Sequence, residues 1–249
     1  MDTKHILSFS GGKDSTQLLI ELVNRNYQLD AVVCNRMKWE EPEIHKHMDR
    51  CDEWLFSKTG MRINFISNDK DIEPFMSGVT TRGKHKGIVR GFPLKHAGFC
   101  WISRDWKIRP LEKWTKQYAT ENNCKVHTYM GFAIDEKSHK RQAVIKNFLS
   151  DEQSFIKEKS ESFPLASLGL TEKMCLELII KKGLFCKTHT DYNRSGCWFC
   201  QKASVESRLK VITRSKERVE TIARWCSMTG REIYPDLTIK EIEKHYNRR

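Results

Sequence analysis

The run Ser10-Gly11-Gly12-Lys13-Asp14-Ser15 constrains this chain more than any other feature in it. A short apolar stretch, His5-Ile6-Leu7-Ser8-Phe9, comes before it, and Thr16 to Val23 follows with a helical spacing of apolar residues. Strand, glycine turn and helix start, in that order, make a cradle for phosphate. Two glycines let the backbone approach an anion closely and aim successive N–H groups at it. The start of the helix adds positive potential at the same place. Lys13 brings a point charge, and Ser10 and Ser15 bring hydroxyl donors. A carboxylate does not suit a pure anion nest, so Asp14 either caps the helix or holds a metal ion. The spacing is not that of a Walker A loop, which separates its first glycine from Gly-Lys-Ser/Thr by four residues.

The rest of the chain reads as alternating elements. Residues 4–9, 29–34, 62–66 and 126–131 have strand character, and 15–25, 43–58, about 110–121 and 137–149 have helical character. That alternation predicts an α/β fold with a doubly wound, mostly parallel sheet. Ligands of such sheets sit at the carboxyl ends of the strands. The glycine loop, the segment Asn35 to Glu43 and the segment Gly131 to Arg141 are therefore expected to face one cleft. Residues 68–109 carry Gly, Pro and basic residues with little periodicity and read as a long functional insertion. Composition shifts near Ser150–Pro164. Beyond it, Thr171 caps a helix with apolar Met174, Cys175, Leu178 and Ile179, and Gly183 ends that helix. An irregular segment with Cys186, Cys197 and Cys200 follows, then two or three basic helices. The expected division is an α/β domain over 1–160 and a helical, cysteine-containing region over 161–249.

Formal net charge is +12, and the excess is uneven. From Arg82 to Lys116, ten Lys and Arg face only Asp105 and Glu112, and Phe92, Phe99, Trp101, Trp106 and Trp114 interleave with them. Such a stretch suits a polyanion whose bases stack on the rings, or else a solvated basic surface beside a phosphate site. No apolar run reaches membrane-spanning length and the N-terminus enters a strand at once, so the expected location is cytoplasmic, with no membrane partner. Nine cysteines in such a setting are not expected to form structural disulfides. Cys197-Trp198-Phe199-Cys200 is a C-x-x-C knuckle; with Cys100 and Cys186 it would supply four thiolates, enough for tetrahedral zinc or a [4Fe–4S] cluster. The other reading is a plain tight turn with two bystanders. Cys34, Cys51, Cys124, Cys175 and Cys226 read as core residues.

The glycine loop resembles the PP-loop of the ATP pyrophosphatases, which split ATP between its α- and β-phosphates. Further segments resemble the phosphoadenosine phosphosulfate (PAPS) reductase-like branch of that superfamily. They are Glu40-Glu41-Pro42-Glu43; Cys100 followed by Lys107-Ile108-Arg109-Pro110-Leu111; Gly131 followed by Asp135 to Arg141; Phe163-Pro164-Leu165; and Arg194-Ser195-Gly196-Cys197-Trp198-Phe199-Cys200. The resemblance spans residues 4 to about 205. It implies an adenine nucleotide alpha hydrolase-like fold that binds ATP on Ser10, Gly11, Gly12, Lys13, Asp14 and Ser15. The implied enzyme adenylates an acceptor oxygen, releases pyrophosphate, and lets a sulfur or nitrogen nucleophile displace AMP. In that chemistry Lys13 steadies the leaving pyrophosphate, Asp14 helps to hold Mg²⁺, and Arg104, Lys107 and Arg141 neutralise the α-phosphate or the acceptor. Implied partners are ATP, an anionic acceptor such as a nucleic acid, and a sulfur-donor protein. The branch favours a [4Fe–4S] cluster over zinc on Cys100, Cys186, Cys197 and Cys200. Two departures stand against a plain PAPS reductase. The chain ends Ile242 to Arg249 without the Glu-Cys-Gly-Leu-His tail, and the usual Asp-Thr-Gly is missing after the second strand. A sulfonucleotide reductase using another thiol is one alternative function. A non-enzymatic nucleic-acid-binding regulator is the other.

Overall fold

The near-continuous apolar run of the second strand, with adjacent Ile6 and Leu7 in the first, decides how the chain layers. In the computed structural model, which describes residues 1–68, 70–83, 85–93, 100–137, 139–150, 161–191 and 196–248, the elements run in this order. They are β1 (Thr3–Phe9), α1 (Lys13–Asn24), β2 (Ala31–Asn35), α2 (Pro42–Thr59), β3 (Ile63–Ile66), α3 (Glu73–Ser77), a π-helical turn (Ser103–Ile108), α4 (Arg109–Glu121), β4 (Lys125–Tyr129), α5 (His139–Ser150), β5 (Glu161–Ser162), α6 (Pro164–Ser167), α7 (Glu172–Lys181), α8 (Thr188–Asp191), α9 (Val205–Ile212), α10 (Lys216–Thr229) and α11 (Ile239–Tyr246). The chain divides into two compact units: residues 1–67 with 108–195, and residues 68–107 with 196–249. The grouping differs from a single cut near residue 160.

The first unit is the expected α/β fold. Its five strands are all parallel, in the order β3-β2-β1-β4-β5. Leu7 and Phe9 of β1 and Val32 and Cys34 of β2 point to one side, where they pack with Leu18, Leu19 and Leu22 of α1, Met48 and Cys51 of α2, and Cys175 and Ile179 of α7. Ile6, Ala31 and Val33 point to the other side, against Leu111, Trp114 and Tyr118 of α4. Period-two strands buried on both faces require helices on both faces, which is the doubly wound arrangement. The helix α7 begins where the sequence places it, with the Thr171 hydroxyl accepting from the Met174 N–H at 3.2 Å. Its buried face is Cys175 and Ile179, while Met174 lies exposed. The two-residue strand β5 is not visible in the sequence pattern.

The second unit joins the 68–107 segment to the chain beyond 196 around aromatic side chains. Phe92 packs edge-on to Phe199 at 5.3 Å and lies 5.6 Å from Trp225, and Trp198 stacks on Trp225 at 5.9 Å. Phe75, Trp101 and Trp106 form a second group with centroids 4.7–5.7 Å apart. The Trp225 Nε1–H donates to Glu73 Oε1 at 2.8 Å. Three helices, α9 to α11, follow the cysteine knuckle. Each has a side-chain cap, from Ser204, Ser215 and Thr238. The motif residues Ser138, Arg194 and Ser195, and Lys84, Lys95 and Phe99 of the basic stretch, lie outside the described residues.

Candidate anion site at the first helix

In the order β3-β2-β1-β4-β5, the chain reverses direction across the sheet between β1 and β4. A crevice opens at the carboxyl ends of strands at such a switch point. The Ser10–Gly12 loop leaves β1 there. Gly11 takes φ +68°, and a Cβ on it would lie 2.9 Å from Met48 Cε and 3.4 Å from Ile44 Cγ2, so both conformation and space demand glycine. The loop is tied to itself. Ser10 Oγ lies 3.0 Å from Ser15 Oγ, the Ser15 hydroxyl donates to the Gly12 carbonyl at 3.0 Å, and the Thr16 N–H donates to the same carbonyl at 2.9 Å. Gly12 is the N-cap and has no capping side chain. The first turn of α1 therefore has N–H groups with no intrahelical acceptor, at its positive end.

Two other chain segments close in on this turn. After β4, Gly131 passes so near α1 that a Cβ would meet Ser15 Cα and N at 2.9 Å and Asp14 C at 3.1 Å. The start of α7 is held to the same segment, since the Glu172 N–H donates to Asp135 Oδ1 at 2.7 Å. Glu172 in turn accepts from Lys13 Nζ at 3.0 Å, and Lys13 also lies 3.4 Å from Asp14 Oδ2. Burial works against the Lys13 ammonium, but the Asp14 and Glu172 carboxylates outweigh it and hold its pKa above the ordinary lysine value. Asp14 does not cap the helix. Burial pushes its pKa up to about 6; Lys13 opposes that rise, and the Glu172 and Glu136 charges add to it. Its Oδ1 is buried with no hydrogen-bond partner among the described residues. An orphaned carboxylate oxygen beside an anion cradle fits a magnesium ion, which typically takes one or two carboxylates plus substrate phosphates. Arg141 is paired with Glu136 at 2.9 Å and lies over the Phe132 ring.

Beneath the loop sit two histidines with no sequence signal beyond their identity. His189 Nε2 lies 2.9 Å from the Gly11 carbonyl oxygen. His47 Nε2 lies 3.0 Å from Thr16 Oγ1, and the two rings meet edge to face at 4.9 Å. Burial drives the His47 pKa down to about 3, with His189 and Arg50 adding to the fall. Burial also lowers that of His189, where the Gly11 bond pulls the other way.

The remaining expected site residues fall elsewhere. Arg104 and Lys107 belong to the second unit, and Arg104 is clamped by the neighbouring Asp105 through two bonds of 2.7 and 2.6 Å. Trp101 and Trp106 are buried in that unit, and the Trp106 Nε1–H donates to the Lys70 carbonyl at 2.7 Å. Phe92 is buried too. These rings are core rather than a stacking platform, because the insertion needs them to fold against α3 and α10. Cys186 is a core thiol of the first unit, within hydrogen-bond reach of the Glu43 carbonyl at 3.5 Å and of Thr188 Oγ1 at 3.0 Å. Cys100, Cys197 and Cys200 lie in the second unit and are partly exposed, as is Cys226, which had read as core. Among the described residues no three His, Cys, Asp or Glu side chains are grouped to hold a metal ion. No described helix is long and apolar enough to cross a membrane.

No protein-family model matches the chain. No curated protein is significantly similar to it. Among solved structures the chain is similar to the U34-tRNA thiolase NcsA from Methanococcus maripaludis with its [4Fe-4S] cluster, at 17% identity and a TM-score of 0.43, over 99% of this chain and 71% of that one.

Proposed function

We propose that the first unit binds ATP with its phosphates on Ser10–Ser15, and that the protein is a PP-loop ATP pyrophosphatase-type enzyme that adenylates an anionic acceptor. The observation that carries this reading is the uncapped start of α1 behind the positive-φ Gly11, at the point where the strand order reverses. Donors there are fixed before the ligand arrives, which is what electrostatic stabilisation of a developing charge requires. An incoming phosphate takes over the Lys13 ammonium from Glu172. Ser10 and Ser15 stay with the loop and keep its shape. A magnesium ion on Asp14 would offset phosphate charge. In the reaction an acceptor oxygen attacks the α-phosphorus, the bond from that phosphorus to the bridging oxygen breaks, and pyrophosphate leaves with the electron pair. The acceptor keeps AMP, which a sulfur or nitrogen nucleophile then displaces. If the nucleophile is sulfur, a sulfur-donor protein is the further partner. Arg141 is near enough in sequence to the Gly131 segment to serve the α-phosphate, once it exchanges Glu136 for it.

Charge supports a polyanionic acceptor. The second unit has 20 Lys and Arg against 11 Asp and Glu, a net of +9 out of +12 for the chain. A polyanion such as a nucleic acid is drawn to such a unit through its phosphates; with Trp101 and Trp106 buried, base stacking on those two rings plays no part. The test is product analysis after incubation with Mg·ATP and candidate acceptors. AMP and pyrophosphate are expected, and Lys13→Ala should abolish both. ADP and phosphate as the products would overturn the assignment.

A further inference from the structure

Two consecutive carbonyls of the phosphate loop, those of Gly11 and Gly12, are both held by groups on the protein side. The Gly12 carbonyl takes the Ser15 hydroxyl and the Thr16 N–H. The Gly11 carbonyl has His189 at 2.9 Å. A carbonyl oxygen only accepts, so the bond puts the proton on Nε2 and leaves Nδ1 as a lone pair. That Nδ1 is buried and has no partner among the described residues, as expected of a neutral ring carrying its one proton on the other nitrogen. Below it, His47 holds Thr16 through the hydroxyl, and Thr16 holds Gly12. The two rings thus brace the loop at successive carbonyls.

A brace is needed here for a specific reason. A peptide between two glycines has no Cβ on either side to fix its orientation, so it turns over at little steric cost. In a trans peptide the C=O and N–H point opposite ways. The Gly12 N–H lies 3.4 Å from Ser10 Oγ, and a phosphate would take this donor over from the hydroxyl; turning the Gly11–Gly12 peptide over would bring a carbonyl oxygen to the anion side and take that N–H away from it. A phosphate would then meet a lone pair where it needs a donor. The backbone alone leaves the two orientations close in energy.

We propose that His189 is a positioning residue for the phosphate loop. Its Nε2–H holds the Gly11 carbonyl inward, and so keeps the Gly11–Gly12 peptide in the orientation that accepts a phosphate. The proposal rests on the nucleotide reading above. It predicts that His189 acts on the phosphates of a ligand and not on its nucleoside. Loss of one such bond is worth about a tenfold change in affinity.

The experiment has two independent arms. In the first, long-range ¹H–¹⁵N NMR of the ligand-free wild type reads the tautomer of His189. A neutral ring protonated on Nε2 is expected; a ring protonated on Nδ1 overturns the proposal whether or not the protein binds ATP. In the second, calorimetry compares Mg·ATP and inorganic pyrophosphate with adenosine for wild type, His189→Phe and His189→Gln. His189→Phe keeps ring volume without the donor and should weaken ATP and pyrophosphate at least about tenfold while leaving adenosine unchanged. His189→Gln restores an N–H donor and should recover part of the loss, which also answers for any folding defect in the Phe variant. Equal weakening of all three ligands, or none, overturns the positioning role. If the wild type binds neither ATP nor pyrophosphate while the Nε2–H tautomer is found, it is the nucleotide reading that fails.

Discussion

Burial holds the Asp14 carboxyl near pH 6 against an ordinary value of 3.8, and that shift links this residue to stability. The fold favours the protonated form, so the stabilising contribution is complete below pH 4 and is lost as pH rises through about 6. At neutral pH the ligand-free protein therefore carries an ionised, half-orphaned carboxylate. Asp14→Asn should leave stability unchanged below pH 4 and raise it on the order of 2–3 kcal/mol above pH 7, from a shift of about two pKa units. Denaturant melts of both proteins at pH 4 and 7.5 check this. The same variant should lose the benefit of magnesium for nucleotide affinity. No stability gain at pH 7.5 would mean that the site is wetter than its burial implies. The sequence offered a choice for this residue, cap or metal holder, and only the structure excludes the cap, because Gly12 occupies that position. His47 and His189 were not legible at all: a lone histidine has no spacing to mark it, and its role depends on which backbone carbonyl it meets.

The elements themselves were legible wherever a period ran long enough. The strands read at 4–9 and 62–66 are found at Thr3–Phe9 and Ile63–Ile66, and the helix read at 43–58 at Pro42–Thr59. Ile44, Met48, Cys51 and Leu55 share one buried face of that helix, as their spacing requires. The strand β5, two residues long, has no period to detect. The meeting of β4 and α1 was legible only as topology. The reason for glycine at 131 is a distance, 2.9 Å from a would-be Cβ to the Ser15 backbone, and backbone has little room to yield. Gly131→Ala should push the β4–α5 connection off the start of α1. It should cost about 1–3 kcal/mol and weaken nucleotide binding together with stability, read by thermal melts with and without Mg·ATP. An unchanged melting temperature would show that the two elements are not in contact.

At the scale of the whole molecule, the sequence concealed how the chain is partitioned. Residues 68–107 look like a loop because their aromatic and basic residues follow no period. They pair with the distant segment that begins at Gly196, and only packing among Phe92, Phe199, Trp198 and Trp225 reveals it. For the same reason Cys186, read beside Cys197 and Cys200, belongs to a different unit from them. The positive excess is also divided unevenly, with most of it in the second unit and not in the unit that holds Ser10–Ser15. The central claim, that Ser10–Ser15 is a nucleotide phosphate site, is tested most directly by calorimetric titration of Mg·ATP into wild type and Lys13→Ala. The account predicts one site per chain in the wild type, and affinity at least about tenfold weaker in Lys13→Ala with the melting temperature preserved, since a charge-assisted bond is worth about 1.5–3 kcal/mol. No heat of binding to the wild type, or equal affinity in the two proteins, would contradict it.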